Sequence, residues 1–105
     1  NARSLFRPDS VTINLLRRVG AFAENKDAAR DIRRKRISPS LKRGQKVILN
    51  FSGVDSTTQS FVHALISEVI RENGSDVLDK VFFQGCNEKV KQVINIVTEY
   101  MQESD

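Results

Sequence analysis

The chain has 105 residues, of which 39% are hydrophobic and 29% charged, which suits one domain with its own apolar core and is too little for two. No apolar run approaches the roughly 20 residues of a membrane-spanning helix, and the composition is that of an ordinary globular protein, so we expect neither a membrane-spanning nor a disordered chain. The single cysteine excludes an intrachain disulfide and favours a reducing compartment, for which the cytoplasm is the simplest assumption.

The charge is unevenly distributed along the chain. Residues 1–46 hold 13 Lys and Arg against 4 Asp and Glu, whereas residues 47–105 hold 4 against 9. Such asymmetry can mark a nucleic-acid-binding patch, but opposite faces of one domain, or of two copies in a homo-oligomer, can complement each other in the same way. We interpret these charges in the first instance as a solvated surface.

The first elements are a leader and a strand. Residues 1–10 are predicted to form a polar leader, whose first two residues we interpret as a protease-cleavage scar from cloning, and residues 11–105 a single domain. From Ser10 to Leu16 apolar and polar side chains alternate, which predicts a half-buried strand. Gly20 and the polar residues after it end this strand.

The next segment predicts a basic helix. Asn25 is a suitable N-cap for a helix from Lys26 to Arg36. The segment 37–40 contains a proline and is predicted to break this helix. Residues 42–44 then predict a turn into the next element.

A strand and a long helix are predicted in the middle of the chain. Residues 47–51, Val-Ile-Leu-Asn-Phe, are an almost continuous β-favouring run, which predicts a central strand covered on both faces. A loop over residues 52–56 follows, and Thr57 or Thr58 is placed to cap a helix that runs to about Asn73. The apolar residues of this helix recur at helical spacing and predict a stripe that packs on a sheet: Phe61, Val62, Leu65, Ile66, Val69 and Ile70.

The last third of the chain predicts a third strand and a third helix. Asn73 and Gly74 are a strong helix stop, and residues 79–83 have the composition of a strand. Asn87 is placed to cap the final helix, whose predicted apolar side consists of Val90, Val93, Ile94, Val97, Tyr100 and Met101. The predicted order is βαβαβα. Strands separated by helices favour a mainly parallel sheet.

The sequence contains none of the motifs that most often carry catalysis or cofactor binding. A Walker-type glycine loop, a dinucleotide-binding glycine pattern and zinc-ligand spacings are absent, and one histidine and one cysteine leave little for acid–base or nucleophilic chemistry. His63 is predicted on the rim of its helix. Cys86 precedes a helix N-terminus, where the dipole can lower a thiol pKa, but we favour a packing role. We expect a protein that is not an enzyme and has no cofactor or metal.

Seven basic residues in and after the first predicted helix form a candidate nucleic-acid patch: Arg30, Arg33, Arg34, Lys35, Arg36, Lys42 and Arg43. They could neutralise several phosphates, but no aromatic side chain is interleaved with them for base stacking. A solvated helix face and a docking surface for an acidic protein are the alternatives. Nucleic-acid binding is therefore the second hypothesis for function.

Residues 47–55 and 59–65 together resemble the signature of STAS domains, the fold of anti-sigma factor antagonists. They resemble still more closely a STAS-like domain of unknown function found in many bacteria. That family shows an aliphatic strand ending in Leu-Asp-Phe, a Gly-Val turn and a Ser-Phe pair that opens an amphipathic helix. The matching residues are Leu49-Asn50-Phe51, Gly53-Val54 and Ser60-Phe61. The resemblance implies a small α/β STAS-like βαβαβα sandwich with a mainly parallel sheet and helices packed on it.

The chain departs from the family pattern at two positions. Asn50 stands where the family usually has an aspartate. In anti-sigma factor antagonists, an Asp-Ser-Ser-Gly type motif before the helix carries a serine that a partner kinase phosphorylates. Laid over this chain, the motif falls on residues 58–61 and puts Gln59 at the acceptor position, so we expect constitutive partner binding without phosphorylation there. The nearby hydroxyls are expected to cap the helix, although its N-terminus could accommodate a phosphate.

The resemblance implies a non-catalytic signalling module that regulates a pathway by binding a protein partner, either a histidine-kinase-type ATPase or another anti-sigma-like factor. The implied partner-binding surface is the loop before the long helix together with the first turn of that helix. Its residues are Gly53, Val54, Asp55, Ser56, Thr57, Thr58, Gln59 and Ser60.

Overall fold

The computed structural model describes residues 9–103 of the chain. These residues form a mixed α/β fold with one three-stranded and one two-stranded parallel sheet and helices packed on them, so the predicted fold class is confirmed. Residues 1–8 of the predicted leader and residues 104–105 of the predicted domain lie outside the described residues. The first strand begins at Ser10.

The elements follow one another in an alternating order. The strands are β1 (Ser10–Asn14), β2 (Phe22–Ala23), β3 (Lys46–Asn50), β4 (Ser56–Thr57) and β5 (Val81–Gln84). The α-helices are α1 (Leu15–Val19), α2 (Lys26–Ile32), α3 (Ser38–Lys42), α4 (Gln59–Asn73) and α5 (Glu88–Glu103). A π-helical segment (Arg33–Ile37) joins α2 to α3, and a 3-10 helix (Ser75–Lys80) precedes β5. The predicted βαβαβα order is present, with short additional elements.

The larger sheet has the strand order β1-β3-β5, with all neighbours parallel. β3 lies in the middle, as predicted for this part of the chain. Ile13 of β1 is in register with Leu49 of β3, which is in register with Phe83 of β5. Leu49 is fully buried, and the Phe83 ring lies 6.4 Å from that of Phe51, just beyond the end of β3. This row belongs to the side of the sheet that carries the core.

The expectation that β3 is covered on both faces is wrong. Thr12, Ile48 and Phe82 form the register row on the opposite face, where Thr12 is exposed, Ile48 is half-buried and Phe82 is 44% exposed. The physical reason is the strand order. Both crossovers step in the same direction across the sheet, and crossovers of one hand then place their helices on the same side. The amine of Lys46 lies 5.9 Å from the Phe82 ring and shields part of this face.

The helices form a layer in which α4 is central and contacts both α2 and α5. The predicted apolar stripe of α4 is confirmed, because Phe61, Leu65 and Val69 are all buried. Gly74, with φ +83°, ends the helix after Asn73 as predicted. Within residues 9–103, no helix is both long and apolar enough to cross a membrane.

Two boundaries differ from the prediction because of local hydrogen bonds and helical turns. The predicted strand 10–16 ends at Asn14, whose side chain accepts a hydrogen bond from the amide of Arg17 and caps α1, so Leu16 is helical. The predicted strand 79–83 is shortened to β5, because residues 79–80 belong to the preceding 3-10 helix.

The predicted helix break at residues 37–40 is also wrong. The chain stays helical from Lys26 to Lys42, with the π-helical segment taking up the change between α2 and α3. Pro39 lies in the first turn of α3, directly after the π-helical segment. Ile37 and Ser40 are buried, so tertiary packing holds this segment against the sequence preference for a break.

Replacing Leu65 with Ala tests the packing of α4. Leu65 is fully buried, so Leu65→Ala should leave a partial cavity and lower the free energy of unfolding by ~2–5 kcal/mol in chemical denaturation. Ile96→Ala is the control, because Ile96 is 50% exposed and its truncation should cost less than ~1 kcal/mol. A loss below ~0.5 kcal/mol for Leu65→Ala would contradict the position of α4 on the sheet.

Candidate functional site

The predicted partner-binding loop begins with a tight turn after β3. The Asn50 carboxamide oxygen accepts a hydrogen bond from the amide of Ser52 at 3.0 Å, and the amide of Val54 donates to the carbonyl of Phe51 at 2.9 Å. A side chain at Gly85 would not fit, because its Cβ would lie 2.9 Å from the backbone nitrogen of Ser52. The Asn50 side chain stabilises the turn by accepting the hydrogen bond from Ser52. An asparagine supplies this acceptor as well as the aspartate of the family pattern does.

The middle of the loop is held by the small β2-β4 sheet, which the sequence analysis did not predict. The amide of Asp55 donates to the carbonyl of Ala21 at 2.8 Å, and the hydroxyl of Thr57 donates to the carbonyl of Ala23 at 2.8 Å. Ala23 and Thr57 are partners in the register of the two strands. A segment far away in the sequence thus fixes the backbone of the loop.

Asn87 joins the loop to the start of α5. Its amide nitrogen donates to the carbonyls of Asp55 at 2.8 Å and of Val54 at 3.3 Å, while its oxygen accepts from the amide of Val90 at 2.9 Å. The predicted cap is therefore confirmed, and the same side chain also holds the loop. An exposed pair at 3.9 Å between Lys89 and Asp55 adds little.

The last residues of the loop lead into α4. Thr58, one of the two predicted caps, accepts a hydrogen bond from the amide of Phe61 at 3.1 Å. Gln59 and Ser60 follow in the first turn and are exposed, so their side chains are available to a partner.

The eight predicted partner-binding residues are not equally accessible. Gly53, Asp55, Gln59 and Ser60 are exposed, Ser56 and Thr58 are half-buried, and Val54 and Thr57 are buried. Val54 belongs to the apolar core, and the hydroxyl of Thr57 is engaged by β2. These two side chains position the loop and are not available to a partner.

A groove of about 610 Å³ runs along the outward side of α4, between α2 and α5. Lys26 and Arg30 of α2 and Arg33 of the π-helical segment lie on one side, and Ile96 and Tyr100 of α5 lie on the other. We call this cavity the α4 groove. Gln59 and Ser60 also line it, so the predicted partner-binding loop and the α4 groove form one continuous surface.

The α4 groove carries an excess of positive charge. Lys26, Arg30, Arg33 and Arg71 line it, with Glu68 as the one carboxylate among the described lining residues. Glu68 is paired with Arg71, and Arg30 is paired at 3.2 Å with a carboxylate of its own helix. Within residues 9–103, Lys26 and Arg33 form no ion pair, and the buried Nε of Arg33 has no hydrogen-bond partner.

The basic patch predicted from the sequence is divided by the fold. Arg30 and Arg33 line the α4 groove, whereas Arg34, Lys35, Arg36, Lys42 and Arg43 do not. Lys35 is paired with Asp31 at 3.2 Å, and the Nε of Arg43 donates to the side-chain oxygen of Gln45 at 3.1 Å. Two of the seven residues therefore belong to the groove and five do not.

Most of the groove residues were not predicted as site residues, among them Lys26, Arg71, Ile96 and Tyr100. Lys26 and Arg71 lie far apart in the chain, and Ile96 carries no motif, so no sequence signal brings them together. Tyr100 was assigned to the apolar side of the final helix, but it is 66% exposed, which corrects that assignment. The spacing of apolar residues along a helix does not show whether a side chain lines a groove or borders the core, because that depends on where the neighbouring helix lies.

The two residues considered for catalysis lie in different places. His63 is exposed and lines the α4 groove, as expected for a rim residue. Partial burial raises the pKa of the Cys86 thiol, and the nearby Lys91 offsets only part of this rise. Cys86 packs against the core, and its thiol is not activated at the start of α5. Within the described residues, no cluster of His, Cys, Asp and Glu could hold a metal ion.

Comparison with known protein families gives a match that covers more than half of the chain. The model of a family described as a STAS-like domain of unknown function matches residues 28–91, which include β3, the loop and α4. No curated protein and no solved structure gives a significant match.

Replacing Asn87 with Ala tests how the loop is held. Asn87→Ala should lower the free energy of unfolding by ~1–3 kcal/mol and speed up amide hydrogen exchange at Val54 and Asp55. Asn25→Ala is the control, because the Asn25 side chain caps α2 by accepting from two backbone amides and holds no loop. Equal losses of stability, with unchanged exchange in the loop, would show that Asn87 is a cap and nothing more.

Proposed function

This chain belongs to the family of STAS-like domains of unknown function, and we propose that it is a non-catalytic regulatory module that acts by binding another protein. We place it in the cytoplasm, in keeping with its single cysteine. The proposed partner-facing surface is the loop from Gly53 to Ser60 with the first turn of α4.

One observation carries this proposal. The loop is exposed at Gly53, Asp55 and Gln59, yet its backbone is tied to β2 and to Asn87 by hydrogen bonds. An ordered loop loses little conformational entropy on binding, which favours recognition of a partner.

A histidine-kinase-type ATPase or an anti-sigma-like factor is the partner class that we propose, and the resemblance to anti-sigma factor antagonists supports it. Gln59 cannot accept a phosphoryl group from such a kinase, so we propose constitutive binding. The exposed hydroxyl of Ser60 lies one residue further on, and the hydroxyl of Thr58 is already used as the cap of α4.

Replacing Ser60 with Glu tests the surface. Because Ser60 is exposed in the first turn of α4, a carboxylate there should leave the fold intact or stabilise it by ~0.3–1 kcal/mol. The same carboxylate would be desolvated at a protein interface. We therefore expect Ser60→Glu to weaken binding of the native partner, recovered by affinity purification, while the Tm is retained.

Gln92→Glu is the control for added charge, because Gln92 is exposed on α5 and does not line the α4 groove. It should leave partner binding unchanged. Normal binding by a folded Ser60→Glu protein would place the interface elsewhere and limit the likeness to STAS regulators to the fold. Unfolding of the variant would contradict the exposed position of Ser60.

Nucleic-acid binding is the alternative function. Arg34, Lys35, Lys42 and Arg43 remain exposed and favour it, whereas the division of the basic patch by the fold weighs against it. We expect no binding to DNA or RNA at physiological salt. Micromolar, salt-sensitive binding that is lost in an Arg33→Glu, Arg34→Glu double variant would reverse the order of the two hypotheses.

A further inference from the structure

We infer that the α4 groove binds an acidic amphipathic helix contributed by the partner protein. This inference rests on the proposed function and names the chemistry of the partner segment. The helix would lie along α4, with its carboxylates toward the basic side of the groove and its apolar side chains toward α5.

Arg33 provides the first argument. Its side chain lines the groove and forms no ion pair, and its buried Nε has no hydrogen-bond partner among residues 9–103. A buried donor on a cationic group without a partner is costly. A carboxylate in the groove would supply the opposite charge, and the terminal nitrogens of the guanidinium can bind it through two parallel hydrogen bonds.

The backbone around Arg33 provides a second, independent argument. Arg33 opens the π-helical segment, and π-helical turns are rare and are frequently found at functional sites. The neighbouring Lys26 and Arg30 belong to α2, which continues directly into the π-helical segment. The cations on this side therefore lie along one uninterrupted helical stretch. A partner would therefore meet a preformed row of positive charge.

The opposite side of the groove is apolar. Ile96 and Tyr100 of α5 are 50% and 66% exposed, and Ala64 and Val97 line the groove below them. Exposed apolar and aromatic side chains suit a partner that can bury apolar side chains of its own against them. A partner with acidic residues on one side and apolar residues on the other complements both sides at once.

The length of the groove favours a helix over a compact anion. Lining residues run from Gln59 to Arg71 along α4, which corresponds to about 18 Å at the rise of an α-helix. A single phosphate would occupy a small part of that length. Three turns of an amphipathic helix would occupy all of it, which is the usual geometry of helix-in-groove recognition.

Nucleic acid fits the groove less well. Five of the seven basic patch residues lie outside it, whereas a phosphate backbone would use them together. The exposed Ile96 would also be left against a charged sugar-phosphate chain. A nucleic-acid ligand is therefore an outcome that the experiment must be able to detect.

The test is a selection from a displayed library of random 16-residue peptides against the purified protein. We expect selected peptides that are rich in Asp and Glu on one face and in apolar residues at helical spacing on the other. Titration of one selected peptide should shift the amide signals of Arg30, Ala64 and Val97. Arg33→Glu should raise its Kd at least about tenfold, because it places like charges opposite each other.

Arg34→Glu is the matched control, since Arg34 is the next residue, is exposed and does not line the groove. It should change the Kd by less than about threefold. Selection of basic or non-helical peptides would overturn the inference, as would equal effects of the two substitutions.

Inorganic phosphate and a short single-stranded DNA are titrated in parallel. Binding of either one that depends on Arg33, without an acidic peptide being selected, would assign the groove to that ligand class.

The native partner separates this inference from the proposed function. Asp55→Lys changes the loop outside the groove, and Arg33→Glu changes the groove outside the loop. Partner binding that is lost with Asp55→Lys but retained with Arg33→Glu overturns the groove inference alone. Binding that neither substitution affects, although both proteins remain folded, overturns both proposals.

Discussion

Apart from Ala64, which lines the α4 groove, the buried apolar side chains of α4 pack against the sheet and the two neighbouring helices, and their burial determines the position of the other parts of the site. At roughly 1.5–3 kcal/mol for each fully buried aliphatic or aromatic side chain, this packing far exceeds any other interaction of the helix. It fixes the direction in which the first turn of α4 faces solvent. It also leaves the outward side of the helix, with His63 and Ser67, as the floor between α2 and α5.

The loop and the α4 groove are two consequences of that one packing arrangement. The loop ends where α4 begins, so Ser60 belongs both to the exposed turn and to the lining of the groove. A partner that contacts the loop can therefore continue along the outward side of α4 into the groove. Charge then distinguishes the two regions, since Asp55 is exposed in the loop while cations predominate in the groove.

The parts of the fold that depend on local signals could be predicted from the sequence. The apolar spacing of α4 and the caps at Asn25 and Asn87 act over a few residues, and the structure contains each of them. The β2-β4 pair could not be predicted, because two-residue strands have no pattern and are defined by bonds across 34 positions. The helical path through Pro39 was missed because burial of Ile37 overrides a local preference. The groove was missed because it is assembled from three helices, each ordinary when considered alone.

The all-parallel pairing of the strands also has a consequence for how the chain reaches its folded state. No described strand pairs with its neighbour in sequence through a hairpin, so β1 and β3 meet only after a helical connection more than 30 residues long has been brought back. Closing such a loop costs entropy before any strand hydrogen bond is gained, and folding rates fall as contacts become less local. The apolar segment from Val47 to Leu49 gains both of its strand partners only through such non-local contacts. A helical protein of this length would fold faster and expose no comparable strand to aggregation on the way.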